Sequence, residues 1–124
     1  MIRCAIIEPS TSSGWLVTIV SVDRFEGPMI FVEQHQERAA THQLAERAAS
    51  MYLADDSFAV IISRRPRKRV GMTWDLHCIG QHGCGLGDSH LLGRGQTTKL
   101  MAIERALLHA EDAHSSSLIP VDAE

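Results

Sequence analysis

Seven side chains able to bind a metal or move protons crowd into sixteen residues: Asp75-Leu-His77-Cys78-Ile-Gly-Gln-His82-Gly-Cys84-Gly-Leu-Gly-Asp88-Ser-His90. Two chemistries suit such a set. Cys78, His82, Cys84 and His90 supply two thiolates and two imidazoles, the donor set of a tetrahedral zinc site, and the glycines between them let a loop wrap the ion. The spacing Cys78-x3-His82-x-Cys84-x5-His90 is neither a C-x-x-C nor an H-x3-H knuckle, so zinc stays an alternative and no cofactor is the first expectation. Along an extended strand His77 and Cys78 face opposite sides, which keeps them from sharing an ion without a bulge. Alternatively Cys84, between Gly83 and Gly85, is a thiol nucleophile with His77, His82 or His90 as its base. No G-x-S-x-G, H-E-x-x-H or Walker-type loop is present, and no catalytic residue is assigned.

Just upstream lies Arg64-Arg65-Pro66-Arg67-Lys68-Arg69, five positive charges with no negative one. Pro66 suits a turn, so the tract reads as a hairpin tip able to grip phosphates through guanidinium forks. A solvated tip, or one docking on an acidic protein surface, has the same composition. Downstream, Gly93-Arg94-Gly95-Gln96-Thr97-Thr98-Lys99 leads into a helix whose first N–H groups, with Arg94 and Lys99, favour an anion.

These groups need a scaffold, and the chain supplies one domain's worth. At 124 residues with 44% hydrophobic and 22% charged content, it is long enough to bury a core without staples. A net charge of −3 argues against a general polyanion binder and makes the basic tract a local footprint. Three cysteines cannot all pair within one chain, and Cys4 reads as a small buried hydrophobe in a strand. No apolar run approaches the ~20 residues that span a bilayer, and Glu8-Pro9 interrupts the apolar N-terminus before a signal segment forms. A reducing cytoplasm is the expected compartment.

The hydropathy pattern predicts strands over 2–8, 15–22 and 29–32, separated by turns at 9–14 and 26–28. Ala39, Ala40, Leu44, Ala48, Met51 and Tyr52 recur at helical spacing and predict a helix from about 36 to 54. Phe58 to Ser63 reads as a strand buried on both faces, and Val70 to Ile79 as its antiparallel partner. A glycine-rich loop covers 80–96, with a short strand at His90-Leu91-Leu92. Leu100, Met101, Ile103, Leu107 and Leu108 mark a helix over about 97–112, capped by Thr97 or Thr98. The expected fold is α+β: a mainly antiparallel sheet in order β-β-β-α-β-β-(β)-α, with two helices packed on one face. A single domain spans 1–113, and 114–124 is a flexible tail.

The tract Arg64 to Arg69 and the segment Gly93 to Ala102 together resemble, in layout, the double-stranded-RNA-binding domain over residues 39–112. The resemblance implies that the tip enters an RNA minor groove and the helix start meets phosphates. Only Lys99 stands where that family has several lysines, and Ala102 and Ala106 line up after a one-residue insertion. A second resemblance covers 2–54. A strand reaching Glu8, a second strand led by Gly14, a third strand and an Ala-rich helix, with Asp23, are similar in layout to ribonuclease-H-like antitoxins of the HicB type, which implies inhibition of a partner by protein contact. Glu33-Gln34-His35-Gln36 replaces that family's Gly-Asp-Thr turn.

The resulting expectation is a non-enzymatic binding protein that contacts nucleic acid through Arg64, Arg65, Arg67, Lys68 and Arg69, helped by Arg94 and Lys99. The alternative is a small inhibitor of antitoxin or phage type docking on an acidic or nucleic-acid-binding surface. A zinc- or thiol-dependent enzyme comes third. No membrane partner is expected, and self-association is left open.

Overall fold

A computed structural model describes residues 2–24, 27–56, 58–67, 71–79 and 98–113, with the backbone alone for 65–67, 71–73 and 112–113. Among these residues, five strands and two helices follow in the order β1 (Ile2–Pro9), β2 (Trp15–Arg24), β3 (Met29–Ala39), α1 (His42–Tyr52), β4 (Ala59–Arg67), β5 (Gly71–Ile79) and α2 (Lys99–Ala113). They build an α+β fold on one sheet with strand order β3-β2-β1-β4-β5. Three of the neighbouring pairs are antiparallel, but β1 and β4 run parallel, from Cys4 opposite Val60 to Ile7 opposite Ser63. The sheet is therefore mixed. The chain gains its parallel pair because β2, β3 and α1 together form a connection long enough to bring β4 back beside β1.

The helices lie on opposite faces of the sheet, not on one face as the sequence pattern suggested. Ile2, Cys4, Ile6, Val20, Val22, Val60, Ile62, Trp74, Leu76 and Cys78 pack against Ala102, Ile103, Ala106, Leu107 and Ala110 of α2. The other face puts Ala5, Ile7, Val17, Ile19, Ala59 and Ile61 against Ala45 and Ala49 of α1 and Leu53, its C-cap residue. The physical reason is β1 itself: Cys4-Ala-Ile-Ile7 is buried at every position, and a strand apolar on both sides needs cover on both sides.

Local boundaries also shift. The helix expected from residue 36 starts at His42, because Gln36, Glu37, Arg38 and Ala39 pair with Thr18, Val17, Leu16 and Trp15 of β2 and so prolong β3. Sheet pairing outweighs alanine's helix propensity there. Thr41 then caps α1, its side chain accepting from the Leu44 N–H at 3.2 Å. Thr98 caps α2, accepting from the Met101 N–H at 3.1 Å.

The helix faces differ from the expected stripes. Leu44, Met51 and Tyr52 are exposed while Ala45, Ala49 and Leu53 are buried; on α2, Leu100, Met101 and Leu108 are exposed and Ala102, Ala106 and Ala110 are buried. Alanine at these spacings lets each helix approach the sheet closely, and the large sheet residues fill the volume.

Gly14 holds the β1–β2 turn with φ +71°, and a Cβ there would lie 2.5 Å from the Ala39 carbonyl oxygen. Arg3 forks onto Asp56 (Nε to Oδ2 2.9 Å, Nη2 to Oδ1 2.6 Å), tying the start of β1 to the segment after α1. Arg24 reaches Glu111 near the end of α2 (Nε to Oε2 3.2 Å). The expected loop 80–96, its strand at 90–92 and the tail 114–124 lie outside the described residues.

Candidate functional site

Arg64, Arg65, Pro66 and Arg67 of the basic tract belong to β4. β1 stops pairing with β4 at Ser63, yet the β4–β5 ladder continues through Arg64 opposite Trp74, Arg65 opposite Thr73, Pro66 opposite Met72 and Arg67 opposite Gly71. Four further residue pairs thus form a two-stranded ribbon beyond the β1–β4 ladder. Pro66 is compatible with this strand because, past Ser63, no β1 ladder remains on that side of β4. The Arg64 guanidinium lies over the Trp74 ring, 5.5 Å from its centroid, a cation–π contact that leaves the guanidinium edge available for hydrogen bonding. Lys68, Arg69 and Arg94 lie outside the described residues.

Lys99, the remaining cation of the expected set, is engaged. Its Nζ donates to Glu8 Oε2 at 2.9 Å. The pair stands at one end of a groove of about 640 Å³, lined also by Leu16, Phe31, Glu33 and Arg38. The groove forms because α2 leaves its side of β3 uncovered. Two carboxylates and two cations make it neutral overall.

The His/Cys stretch divides. Cys78 is 0% exposed, in the core beneath α2. His77 pairs opposite Ile61, on the other face of β5, as the strand alternation required. His82, Cys84 and His90 lie outside the described residues. Among the described residues, no three His, Cys, Asp or Glu side chains converge as a metal ion would need. Burial pushes the Cys4 thiol up to about 12, which leaves it inert as a nucleophile.

Among the described residues, a chemical arrangement that sequence spacing missed is on the α1 face. His42, first residue of α1, places Nε2 at 2.5 Å from Ser63 Oγ. Its Nδ1 lies 2.8 Å from Glu46 Oε1, one helical turn on. The Trp15 ring stands edge-on to the imidazole, centroids 4.7 Å apart at 76°, and fixes the ring plane. Ser63 is 5% exposed, and Asp75 stands opposite it on β5. Serine, histidine and carboxylate in this sequence of contacts are the parts of a nucleophile–base–orienter relay. The His42–Glu46 spacing is visible in the sequence as an i,i+4 pair. Ser63 is twenty-one residues away, and only the sheet brings it there.

Among the described residues, no helix is long and apolar enough to cross a membrane. Comparison with protein families, curated proteins and solved structures finds no match for this chain.

Proposed function

We infer that this chain is a nucleic-acid-binding protein of the cytoplasm that holds the phosphate backbone with its β4–β5 ribbon. Arg64, Arg65 and Arg67, with Lys68 and Arg69 next in the sequence, supply the contacts. The observation that carries this reading is the ladder's four extra pairs beyond Ser63. They place a run of guanidinium-bearing residues on a narrow two-stranded element, and a two-stranded ribbon is a shape that the major groove of a duplex admits. Arginine suits the task because its fork matches phosphate geometry.

Affinity then comes mainly from phosphate contacts, so sequence selectivity is low and salt dependence steep. Arg94, five residues before α2 in the sequence, adds a further positive charge. Lys99 adds less than its charge suggests, since Glu8 already neutralises it.

The test is binding of labelled duplex and single-stranded RNA and DNA at ~50 mM salt, where phosphate-dominated binders associate most strongly. The wild type binds with a log–log salt slope of about −4, and Arg64→Glu with Arg65→Glu and Arg67→Glu abolishes binding. A wild type that binds no nucleic acid at that salt, or a triple variant that binds as well as the wild type, removes the reading. A wild type that instead captures one stoichiometric acidic protein from its host would assign the ribbon to a protein surface.

A further inference from the structure

We propose that Ser63 is an activated nucleophile, with His42 as its general base and Glu46 as the orienting carboxylate, and that this centre accepts small acyl groups from activated esters. The site adjoins the base of the ribbon, and the proposal does not depend on nucleic-acid binding.

Three features point to reactivity rather than packing. The contacts run in one direction, carboxylate to Nδ1 and Nε2 to Oγ. A hydrogen on Nδ1, held by Glu46, leaves the Nε2 lone pair aimed at the serine hydroxyl. Each partner is also fixed: Ser63 by its place between Ile7 of β1 and Asp75 of β5, His42 by Trp15, and Glu46 by α1. Finally, Ser63 meets the first residue of α1, and the positive end of a helix favours negative charge developing on an oxygen nearby.

The near-burial of Ser63 sets the substrate class. At 5% exposure so little of Ser63 is open that the proposed donor is limited to the smallest acyl groups. Approach is from the β5 side, because α1 packs over β1, β2, β3 and β4.

In the first half-reaction Ser63 Oγ bonds to the acyl carbon while its proton passes to His42 Nε2, and the carbonyl electron pair moves onto oxygen. The pair returns as the bond to the leaving oxygen breaks, and His42 gives that oxygen the proton, releasing the alcohol. In the second half-reaction water attacks the acyl carbon, its proton passing to His42. The Ser63 ester bond then breaks, Oγ regains the proton, and the carboxylic acid departs.

The full chain incubated with p-nitrophenyl acetate tests this, read by nitrophenol release and by peptide mass mapping. The expected result is a burst of about one equivalent and an acetyl group on the Ser63 peptide, on the pattern of acyl-enzyme chemistry. Ser63→Ala removes both. His42→Gln slows acetylation about a hundredfold or more, the usual scale of general-base loss. Glu46→Gln lowers kcat with KM unchanged, as a positioning group should. Circular dichroism checks that each variant is folded; should Ser63→Ala not fold, the wild-type peptide map decides alone. Acetyl found only on lysines of the folded wild type overturns the proposal, as does an acetylation rate in folded His42→Gln equal to that of the wild type.

Discussion

Lys99 Nζ and Glu8 Oε2 meet at 2.9 Å across ninety-one residues of sequence, joining the end of the first strand to the start of the last helix. The contact neutralises the cation at the start of α2 and so lowers the charge that this end of the helix offers to a polyanion.

Removing the carboxylate should therefore uncover a cation. Glu8→Gln leaves Lys99 free to contact phosphate, so nucleic acid binds more tightly and the log–log salt slope steepens by about 1. The pair is half open to solvent, and its loss changes folding stability by less than about 1 kcal/mol. Fluorescence anisotropy over a salt series, beside thermal melts, measures both. A weaker or unchanged affinity would show that Lys99 lies off the binding path.

Arg3 and Asp56 make a stronger tie. The hydrogen bond from Arg3 to Asp56 raises the guanidinium pKa further above its usual value, so Arg3 stays charged throughout the stable range. Arg3→Lys keeps the charge but loses the two-pronged fork. The expected cost is about 1–2 kcal/mol, between the values for exposed ion pairs and charged hydrogen bonds. Urea denaturation gives the number directly.

Cys4 predicts the alkaline limit of the fold. Its thiol is fully buried and its pKa is raised from 9.0 to about 12 by desolvation. Between those values the unfolded chain releases the thiol proton while the folded chain keeps it, so the unfolded state binds fewer protons and stability falls as pH rises. The contribution is intact below about 9 and lost progressively toward 12. Cys4→Ala should flatten the fall in Tm over that range, while lowering Tm at neutral pH through the vacated volume. In the native protein Cys4 and Cys78 should also resist iodoacetamide until denaturant is added.

The two cores should respond independently. Ile103→Ala empties the α2 side and Leu53→Ala the α1 side, each costing about 2–5 kcal/mol. Because the sheet separates the two sites, the double variant should lose the sum to within about 0.5 kcal/mol. Leu108→Ala, at a position 36% exposed, should cost under about 1 kcal/mol. Strong coupling between Ile103 and Leu53 in a double-mutant cycle would contradict the two-faced arrangement.

Much of the fold was legible before any coordinates. The apolar runs Cys4-Ala-Ile-Ile7 and Ala59-Val-Ile-Ile62 announce the central strands, since nothing but burial on both faces suits them. Thr98, one of the two threonines expected to cap the last helix, does cap it, because a hydroxyl that satisfies a first-turn N–H acts locally; the Thr41 cap was missed because that helix was expected from residue 36. The same runs already implied cover on both faces, which is why placing both helices on one face fails.

Local sequence determined the elements that depend on neighbours in the chain: strand runs, caps, the Gly14 turn, the cationic tract and the His42–Glu46 turn of helix. Tertiary structure alone decided what depends on distant partners. It turned Gln36 to Ala39 into strand by offering them β2, joined Lys99 to Glu8, and carried Ser63 to His42. Backbone pairing and burial free energies belong to contacts between segments, and the one-dimensional pattern holds no record of which segments will meet.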